Sequence, residues 1–252
     1  MKADGRLRVF FSYFGGKYMR ALHYPAPVHR TIVEPFAGAA GYSVRHHERQ
    51  VILYDTSPYI AGVWRYLLHA SSFDIRRLPL VQPGDDVQSL KIPQEARWLI
   101  GFWINQGSSV PKRTVGGRQS NKRAGHYATW AEPARERLAW QVDQIRHWRF
   151  VEGDCRDAPN VEATWFIDPP YEKHPYYPDK IDSYVTLANW CRGRNGQVIV
   201  CETEGATWLP FKPITTVAGT LHRGTTEVVW FSGQQALPFP CVTPTQSERQ
   251  PR

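Results

Sequence analysis

The feature that most constrains the fold is the alternation of short apolar runs with helical patterns in the first third of this 252-residue chain. Residues 31–36 (TIVEPF) and 51–54 (VILY) have the character of buried strands, and a small-residue turn, 37–41 (AGAAG), follows the first of them. From Pro58 to Ala70 apolar side chains recur at helical spacing, after Ser57 as a candidate cap. This order predicts a doubly wound α/β sheet.

The same pattern resumes in the second half of the chain. The predicted elements there are strands at 149–152, 163–167 and 197–201 and a helix near 184–192. Two further runs, 214–217 and 227–231, predict an antiparallel hairpin. The fold class is therefore a mostly parallel α/β sheet that ends in a hairpin.

The middle third has a different composition and predicts an insertion into the sheet domain. Helices are predicted at 94–105 and 129–147, and residues 106–127 between them are rich in Gly, Ser, Lys and Arg. We divide the chain into an α/β domain (1–70 and 148–233), an insertion of helices and a basic loop (71–147) and a tail (234–252). The tail has no periodicity, and we expect it to be poorly ordered.

The formal net charge of +8 favours an acidic partner, and nucleic acid is the commonest one. Five cations lie in the basic loop with no Asp or Glu between them: Lys112, Arg113, Arg118, Lys122 and Arg123. Such side chains can contact phosphates and groove edges. A solvated loop with no ligand is the alternative interpretation.

Cysteine usage and hydropathy indicate a compartment. The four cysteines show neither CxxC spacing nor the density of a disulfide framework, which favours a reducing environment. No stretch approaches the length of a membrane span, and the N-terminus has no apolar signal core. We expect a soluble, monomeric protein of the cytoplasm. His46 and His47 lack metal-ligand spacing, and no metal is expected.

The run Asp168-Pro169-Pro170-Tyr171 directly follows the strand at 163–167. Proline fixes its own φ and restrains the preceding residue to extended geometry. Asp168 and the Pro169 carbonyl would therefore be held as paired acceptors at the carboxyl end of a strand. This arrangement suits an exocyclic amino group on a flat ring.

Two other segments accompany this run: residues 11–17 (FSYFGGK) and residues 34–41 (EPFAGAAG). In this order the three motifs resemble the Dam-type, or D12-class, adenine-specific DNA methyltransferases, over roughly residues 8–232. The resemblance implies a Rossmann-like methyltransferase sheet that binds S-adenosylmethionine, with residues 71–147 as a target-recognition insertion. It also implies double-stranded DNA with a flipped adenine as partner, in a bacterial or phage-infected cell.

The resemblance also assigns residues to the cofactor site. Those residues are Tyr13, Phe14, Gly16, Lys17, Glu34, Phe36, Gly38, Ala40, Asp55, Asp154 and Asp168. Asp55 would hold the ribose and Asp154 would lie near the adenine, although either acid could instead serve only a turn or a cap. Lys17 would contact the cofactor, with a solvated lysine as the alternative. Ala40 departs from the pattern, because a second glycine is common there and Gly41 comes one place later.

The implied catalytic residues are Asp168, Pro169, Pro170 and Tyr171. Asp168 and the Pro169 carbonyl would accept the two amino hydrogens and aim the nitrogen at the sulfonium methyl group, for direct in-line transfer. Tyr171 would stack on the flipped base. His174 and Tyr176 come just after this turn and are candidates for contacts to flanking nucleotides, with a simple surface loop as the alternative.

Other functions stay open at this point. Methylation of cytosine N4 uses the same chemistry, and RNA adenine is a further substrate for it. A relative that binds DNA without catalysis is another alternative. A nicotinamide-linked oxidoreductase is disfavoured because no GxGxxG follows the first strand.

Tryptophan is abundant in the chain and raises the question of stacking platforms. Trp64, Trp98, Trp140 and Trp190 lie within helical patterns, so we predict that they belong to the core.

Overall fold

The computed structural model describes residues 5–104, 107–116, 130–172, 181–217 and 225–232. Its strands are β1 (Thr31–Glu34), β2 (Gln50–Asp55), β3 (Arg149–Glu152), β4 (Ala163–Ile167), β5 (Gly196–Thr203), β6 (Lys212–Val217) and β7 (Thr225–Phe231). The described strands form one seven-stranded sheet in the order β3-β2-β1-β4-β5-β7-β6. Neighbours from β3 to β5 are parallel, and β7 is antiparallel to β5 and β6. The predicted doubly wound sheet with a terminal hairpin is confirmed.

Helices connect the parallel strands. They are α1 (Gly41–Arg45), α2 (Pro58–His69), α3 (Ser72–Arg76), α4 (Gln94–Trp103), α5 (Glu132–Val142) and α6 (Tyr184–Arg192). Short 3-10 turns lie at Arg20–His23, Val87–Ser89, Asp143–Ile145 and Cys155–Asp157. No helix among the described residues combines the length and the apolar character that crossing a membrane requires.

Two helices differ from the sequence prediction. The helix predicted at 129–147 begins only at Glu132, because Ala131 is extended and Pro133 occupies the first turn. Its last turn tightens into the 3-10 turn after Val142. α3 was not predicted, although a capping box marks its start: the side chains of Ser71 and Asp74 each accept from the other residue's backbone N–H.

The sheet reverses its direction of growth between β1 and β4. β2 and β3 lie on one side of β1, whereas β4 and β5 follow on the other side. The register pairs Ile32 with Thr164, which sets the carboxyl ends of β1 and β4 side by side. Open α/β sheets bind ligands in the crevice at such a switch point. Glu34 ends β1 there, and Asp168 follows β4.

Side chains of the strands alternate between two hydrophobic clusters. Ile32 and Phe166 belong to one cluster, and their neighbours Val33 and Trp165 belong to the other. Because successive strand residues point to opposite faces, the clusters lie on the two faces of the sheet. Leu99 and other residues of the insertion pack into the first cluster, together with Trp64 of α2. The division of the chain into domains stays a prediction.

The tryptophan predictions have different outcomes. Trp64 is fully buried, and Trp98 and Trp190 are partly buried against the two clusters. The prediction for Trp140 is wrong, since 42% of its surface is exposed. α5 turns Leu138, Ala139 and Val142 inward and leaves Trp140 on the outer face.

Candidate functional site

A cavity of 290 Å³ opens at the switch point between β1 and β4. All of the residues predicted for the cofactor site line it: Tyr13, Phe14, Gly16, Lys17, Glu34, Phe36, Gly38, Ala40, Asp55, Asp154 and Asp168. Pro170 and Ile181 also contribute to its wall. Segments that are far apart in the sequence therefore meet around one space.

The turn after β1 is fixed by contacts to Gly38. Its N–H donates to Asp55 Oδ2 at 2.9 Å, and its carbonyl accepts from Trp64 Nε1 at 2.8 Å. Gly38 has φ +44°, and a Cβ there would lie 2.9 Å from a ring carbon of Tyr13. Only glycine fits this position without displacing the aromatic ring that lines the cavity.

Ala40, which stands where a second glycine is common, is accommodated within this turn. Ala40 has φ 49° and ψ 45°, the left-handed geometry that glycine adopts more easily, at a cost of about 1 kcal/mol. Gly41 has a different role, because a Cβ there would lie 2.4 Å from the Tyr18 backbone nitrogen. Gly41 thus lets the segment that carries Lys17 approach the start of α1.

Asp55 takes part in the turn as well as in the cavity wall. Besides Gly38, it accepts from the Ser57 N–H, at 2.9 Å through Oδ1. These contacts show that Asp55 stabilises the turn, as the alternative interpretation of this residue proposed. Its predicted role in holding a ribose stays a prediction.

Asp154 caps the 3-10 turn that follows β3. Its carboxylate accepts from the Arg156 guanidinium at 2.7 Å and from the Arg156 N–H at 2.8 Å. The hydrogen bonds from Arg156 lower the pKa of Asp154 to about 2. Asp154 is an ionised acceptor at the rim of the cavity.

Glu34 is an almost completely buried acid in the cavity wall. One of its oxygens accepts from the Ser43 N–H at 2.7 Å. Burial raises the pKa of Glu34 to about 8, opposed by the hydrogen bond from the Ser43 N–H. At neutral pH the group therefore favours its protonated form, in which it can also donate a hydrogen bond.

Lys17 and Asp168 form an ion pair in which the lysine is buried and the aspartate is partly buried. The ammonium nitrogen lies 2.8 Å from each carboxylate oxygen and donates to the Gly15 carbonyl at 2.9 Å. Only 3% of the Lys17 side chain is exposed, so the solvated-lysine interpretation is wrong. Burial raises the pKa of Asp168 above its ordinary value, and the Lys17 charge opposes that rise.

Tyr171 lies behind the cavity. Its hydroxyl donates to Glu227 Oε1 at 3.2 Å, and the Lys17 ammonium lies 4.9 Å from its ring centre. The ring is 8% exposed and belongs to the hydrophobic core. In this arrangement the lysine covers one face of the ring that was predicted to stack on a base.

Contacts from two neighbouring elements hold the turn at Asp168–Tyr171 in place. The Tyr184 hydroxyl donates to the Pro170 carbonyl at 2.7 Å. Glu202, at the end of β5, accepts from the Glu172 N–H at 2.8 Å and from Trp208 Nε1 at 3.2 Å. The sequence analysis missed these residues. An acid at the end of an apolar strand was the available signal for Glu202.

Two of the residues predicted to bind nucleic acid lie within the described part of the chain. Lys112 and Arg113 are exposed, and Arg113 pairs with Asp86 at 2.6 Å, so this cation has an acidic partner from outside the loop. The predicted residues Arg118, Lys122, Arg123, His174 and Tyr176 lie outside the described residues, as does the tail. Within the described part, no group of three or more His, Cys, Asp or Glu residues is placed to hold a metal ion.

Comparisons with known proteins give only weak structural likenesses. Neither a protein-family model nor a curated protein matches the chain. Among solved structures, yhhF from Escherichia coli, designated a methyltransferase, covers 79% of this chain and 73% of its own, with 9% identity and a TM-score of 0.32. The rRNA methyltransferase aviRa from Streptomyces viridochromogenes covers 91% and 93%, with 14% identity and a TM-score of 0.37. At these TM-scores the likenesses carry no weight in assigning a reaction or a substrate.

Proposed function

We propose that this protein is an S-adenosylmethionine-dependent methyltransferase that modifies an exocyclic amino group of a nucleobase, the N6 group of adenine in DNA. One observation carries the proposal. The 290 Å³ cavity gathers every predicted cofactor residue, and Asp168 of the Asp-Pro-Pro-Tyr run lies at its edge. The three motifs that resemble Dam-type enzymes thus meet at one site.

The chemistry of the cavity wall fits S-adenosylmethionine. Four acids line it: Glu34, Asp55, Asp154 and Asp168. The ligand carries a sulfonium, an ammonium and two ribose hydroxyls, which suit the carboxylates of Asp55, Asp154 and Asp168, and Glu34 in its protonated form can donate a hydrogen bond to it. When bound, it supplies an electrophilic methyl group. The aromatic side chains of Tyr13, Phe14 and Phe36 offer apolar surface on the same wall.

Asp168 would orient the amino nitrogen. An adenine amino group is a poor nucleophile because its lone pair is delocalised into the ring. Accepting its hydrogens at Asp168 and at the Pro169 carbonyl favours a pyramidal nitrogen that points at the methyl donor. The hydrogen bonds that Tyr184 donates and Glu202 accepts hold the backbone of this turn in place during the reaction. Proton loss can follow methyl transfer, so Asp168 need not act as a strong base.

DNA is the favoured partner on the grounds of charge and resemblance. The net charge of +8 suits a polyanion, and the motifs resemble enzymes that act on duplex DNA after flipping the target base. A monomer acting in the cytoplasm is part of the same proposal. Cytosine N4 and RNA adenine are alternative acceptors for the same chemistry.

Mass spectrometry of nucleosides tests the proposal. Duplex DNA and RNA are each incubated with the protein and with S-adenosylmethionine that carries a deuterated methyl group. We expect labelled N6-methyladenine from DNA, and we expect Asp168→Asn to abolish it while calorimetry still detects cofactor binding. Label on cytosine N4, label only in RNA, or no label despite tight DNA binding would each overturn the proposed substrate or reaction.

A further inference from the structure

Glu202 lies near the carboxyl end of β5 and is completely buried, with 0% of its surface exposed. Among the described residues, its hydrogen-bond partners are three N–H groups. Oε1 accepts from the Glu172 backbone at 2.8 Å and from Trp208 Nε1 at 3.2 Å, and Oε2 accepts from the Thr203 backbone at 2.6 Å. Glu202 does not line the cavity, so its effect on a reaction there passes through the neighbouring turn at Asp168–Tyr171.

We propose that Glu202 is a positioning residue that must be ionised for methyl transfer. The inference rests on the proposed function, because it assigns a pH-dependent support to the turn that presents Asp168 to the amino group. Ionised Glu202 holds this turn in its reactive position, and protonated Glu202 releases it.

The first step of the argument is the place at which Glu202 holds the backbone. The Glu172 N–H belongs to the peptide group that follows Tyr171, and the Pro170 carbonyl, which accepts from the Tyr184 hydroxyl at 2.7 Å, belongs to the peptide group before it. The two hydrogen bonds therefore fix the peptide groups on both sides of Tyr171. Because the two prolines make the turn stiff, a shift of its last peptide group also displaces Asp168.

The second step is the match between the carboxylate and its partners. An ionised carboxylate accepts at both oxygens, whereas a protonated carboxyl group carries a hydrogen on one of them. All three partners of Glu202 are donors, so that hydrogen finds no acceptor among them, and the oxygen that carries it accepts more weakly. Burial raises the pKa of Glu202, opposed by the three N–H groups, so protonation begins at a higher pH than for an ordinary glutamate.

Two titratable groups face Glu202. The Glu172 carboxyl lies just after the turn, and its charge adds to the rise in the pKa of Glu202. The Tyr184 hydroxyl faces it from α6, and burial raises the pKa of Tyr184 to about 12, so this hydroxyl stays neutral in assays near neutral pH. On β7, Glu202 is paired with Val228, whose side chain carries no charge. Protonation of Glu202 is therefore the event that changes the support of the turn as the pH falls.

Two variants separate this role from simple structural support. In Glu202→Gln the amide NH2 group faces an N–H donor at every pH, as the hydroxyl of protonated Glu202 does. We expect it to lower the single-turnover rate at saturating DNA and cofactor about 100-fold at about pH 8, the order of loss for a misplaced reacting group. The deficit should shrink as the pH falls, because wild-type Glu202 then becomes protonated as well. Tyr184→Phe weakens the same turn without removing a carboxyl group, so its rate relative to the wild type should not change with pH.

A third variant, Trp208→Phe, covers the case in which Glu202→Gln does not fold. It keeps the carboxyl group and removes one of the N–H donors that lower the pKa of Glu202. Its rate should be close to that of the wild type at about pH 8 and should fall up to about tenfold below it as the pH decreases, the opposite trend to that of Glu202→Gln. Protonation of Asp168 affects the wild type and the variants alike and cancels in these ratios.

Circular dichroism and calorimetric binding of the cofactor show which variants are folded. A rate ratio that does not change with pH in folded Glu202→Gln or in Trp208→Phe would overturn the inference. So would a wild-type rate in folded Glu202→Gln at high pH, or a ratio for Tyr184→Phe that changes with pH as that of Glu202→Gln does. Each of these results leaves an active wild type and the proposed function intact, whereas a wild type that transfers no methyl group overturns both.

Discussion

The Lys17 ammonium lies 2.8 Å from both carboxylate oxygens of Asp168, although the two residues are 151 positions apart in the chain. This ion pair links the N-terminal segment to the carboxyl end of β4. We predict that Lys17→Met destabilises the protein by about 2 kcal/mol at neutral pH, because it leaves the partly buried Asp168 carboxylate without its cation. Urea denaturation measures the loss.

The size of this loss should depend on pH. Lys17 lowers the pKa of Asp168, so its contribution to stability is present when Asp168 is ionised and declines as the pH falls and Asp168 is protonated. Lys112→Met is the matched control at an exposed lysine and should stay within about 0.5 kcal/mol of the wild type. Equal losses in the two variants would show that the ion pair contributes nothing specific.

We predict that the contribution of Glu34 to the stability of the protein falls as the pH rises. Burial raises its pKa from 4.5 to about 8, so between these values the folded chain holds a proton that the unfolded chain releases. The favourable contribution is complete below pH 4.5 and is lost as the pH approaches 8. Glu34→Gln has no such proton, and its oxygen can still accept from the Ser43 N–H. Between about pH 5 and about pH 8, the unfolding free energy of Glu34→Gln should therefore increase relative to that of the wild type, by on the order of a few kcal/mol.

Urea denaturation of both proteins across this range is the measurement. Because Asp168 and Glu202 also have raised pKa values, the difference between variant and wild type is the informative quantity. Parallel curves would show that Glu34 has an ordinary pKa in the folded protein.

We predict different results for substitutions at two adjacent positions in the turn after β1. Ala40→Gly relieves a left-handed φ but loses a buried methyl group and adds chain entropy, so its stability should stay within about 1 kcal/mol of the wild type. Gly41→Ala puts a Cβ 2.4 Å from the Tyr18 nitrogen, and backbone there must move. We expect a loss of at least about 2 kcal/mol and weaker cofactor binding, by thermal unfolding and calorimetry. A tolerated Gly41→Ala would contradict the close approach of the two segments.

Local patterns were sufficient to predict most of the sheet. The sequence predicted β3 and β4 with their observed bounds; β4 is a fully buried apolar run between turns, whereas β3 is short and largely exposed. α3 was within reach of the same method, since its capping box is a local signal. Trp140 was not, because whether an aromatic on α5 points inward depends on what α5 packs against.

The residues of the candidate site also fall into two groups, those that the sequence indicates and those that it does not. Motifs carry the residues that line the cavity, since each motif is a contiguous run. The supporting residues do not form a run. Glu227 contacts Tyr24 across 203 positions, and Tyr184 meets the Pro170 carbonyl through the packing of α6. Their side chains acquire these partners only when the strands and helices come together, so no spacing in the sequence indicates them.

Trp64 and Trp140 have the same chemistry and opposite environments, which makes them a matched pair. Trp64 is fully buried, and its indole N–H donates to the Gly38 carbonyl at 2.8 Å. Trp64→Phe should cost about 2–4 kcal/mol, because it opens space in the core and leaves that carbonyl without its donor. Trp140→Phe should change stability by less than about 0.5 kcal/mol, since 42% of the Trp140 surface is exposed.

Cofactor affinity adds a second measurement to this pair. Because Gly38 lines the cavity, the loss of its support in Trp64→Phe should also raise the Kd for S-adenosylmethionine, whereas Trp140→Phe should leave that Kd unchanged. Thermal unfolding and calorimetry on the two variants provide both values. If Trp64→Phe loses stability but binds the cofactor as the wild type does, then Trp64 supports the core alone, and the turn keeps its shape without the indole hydrogen bond.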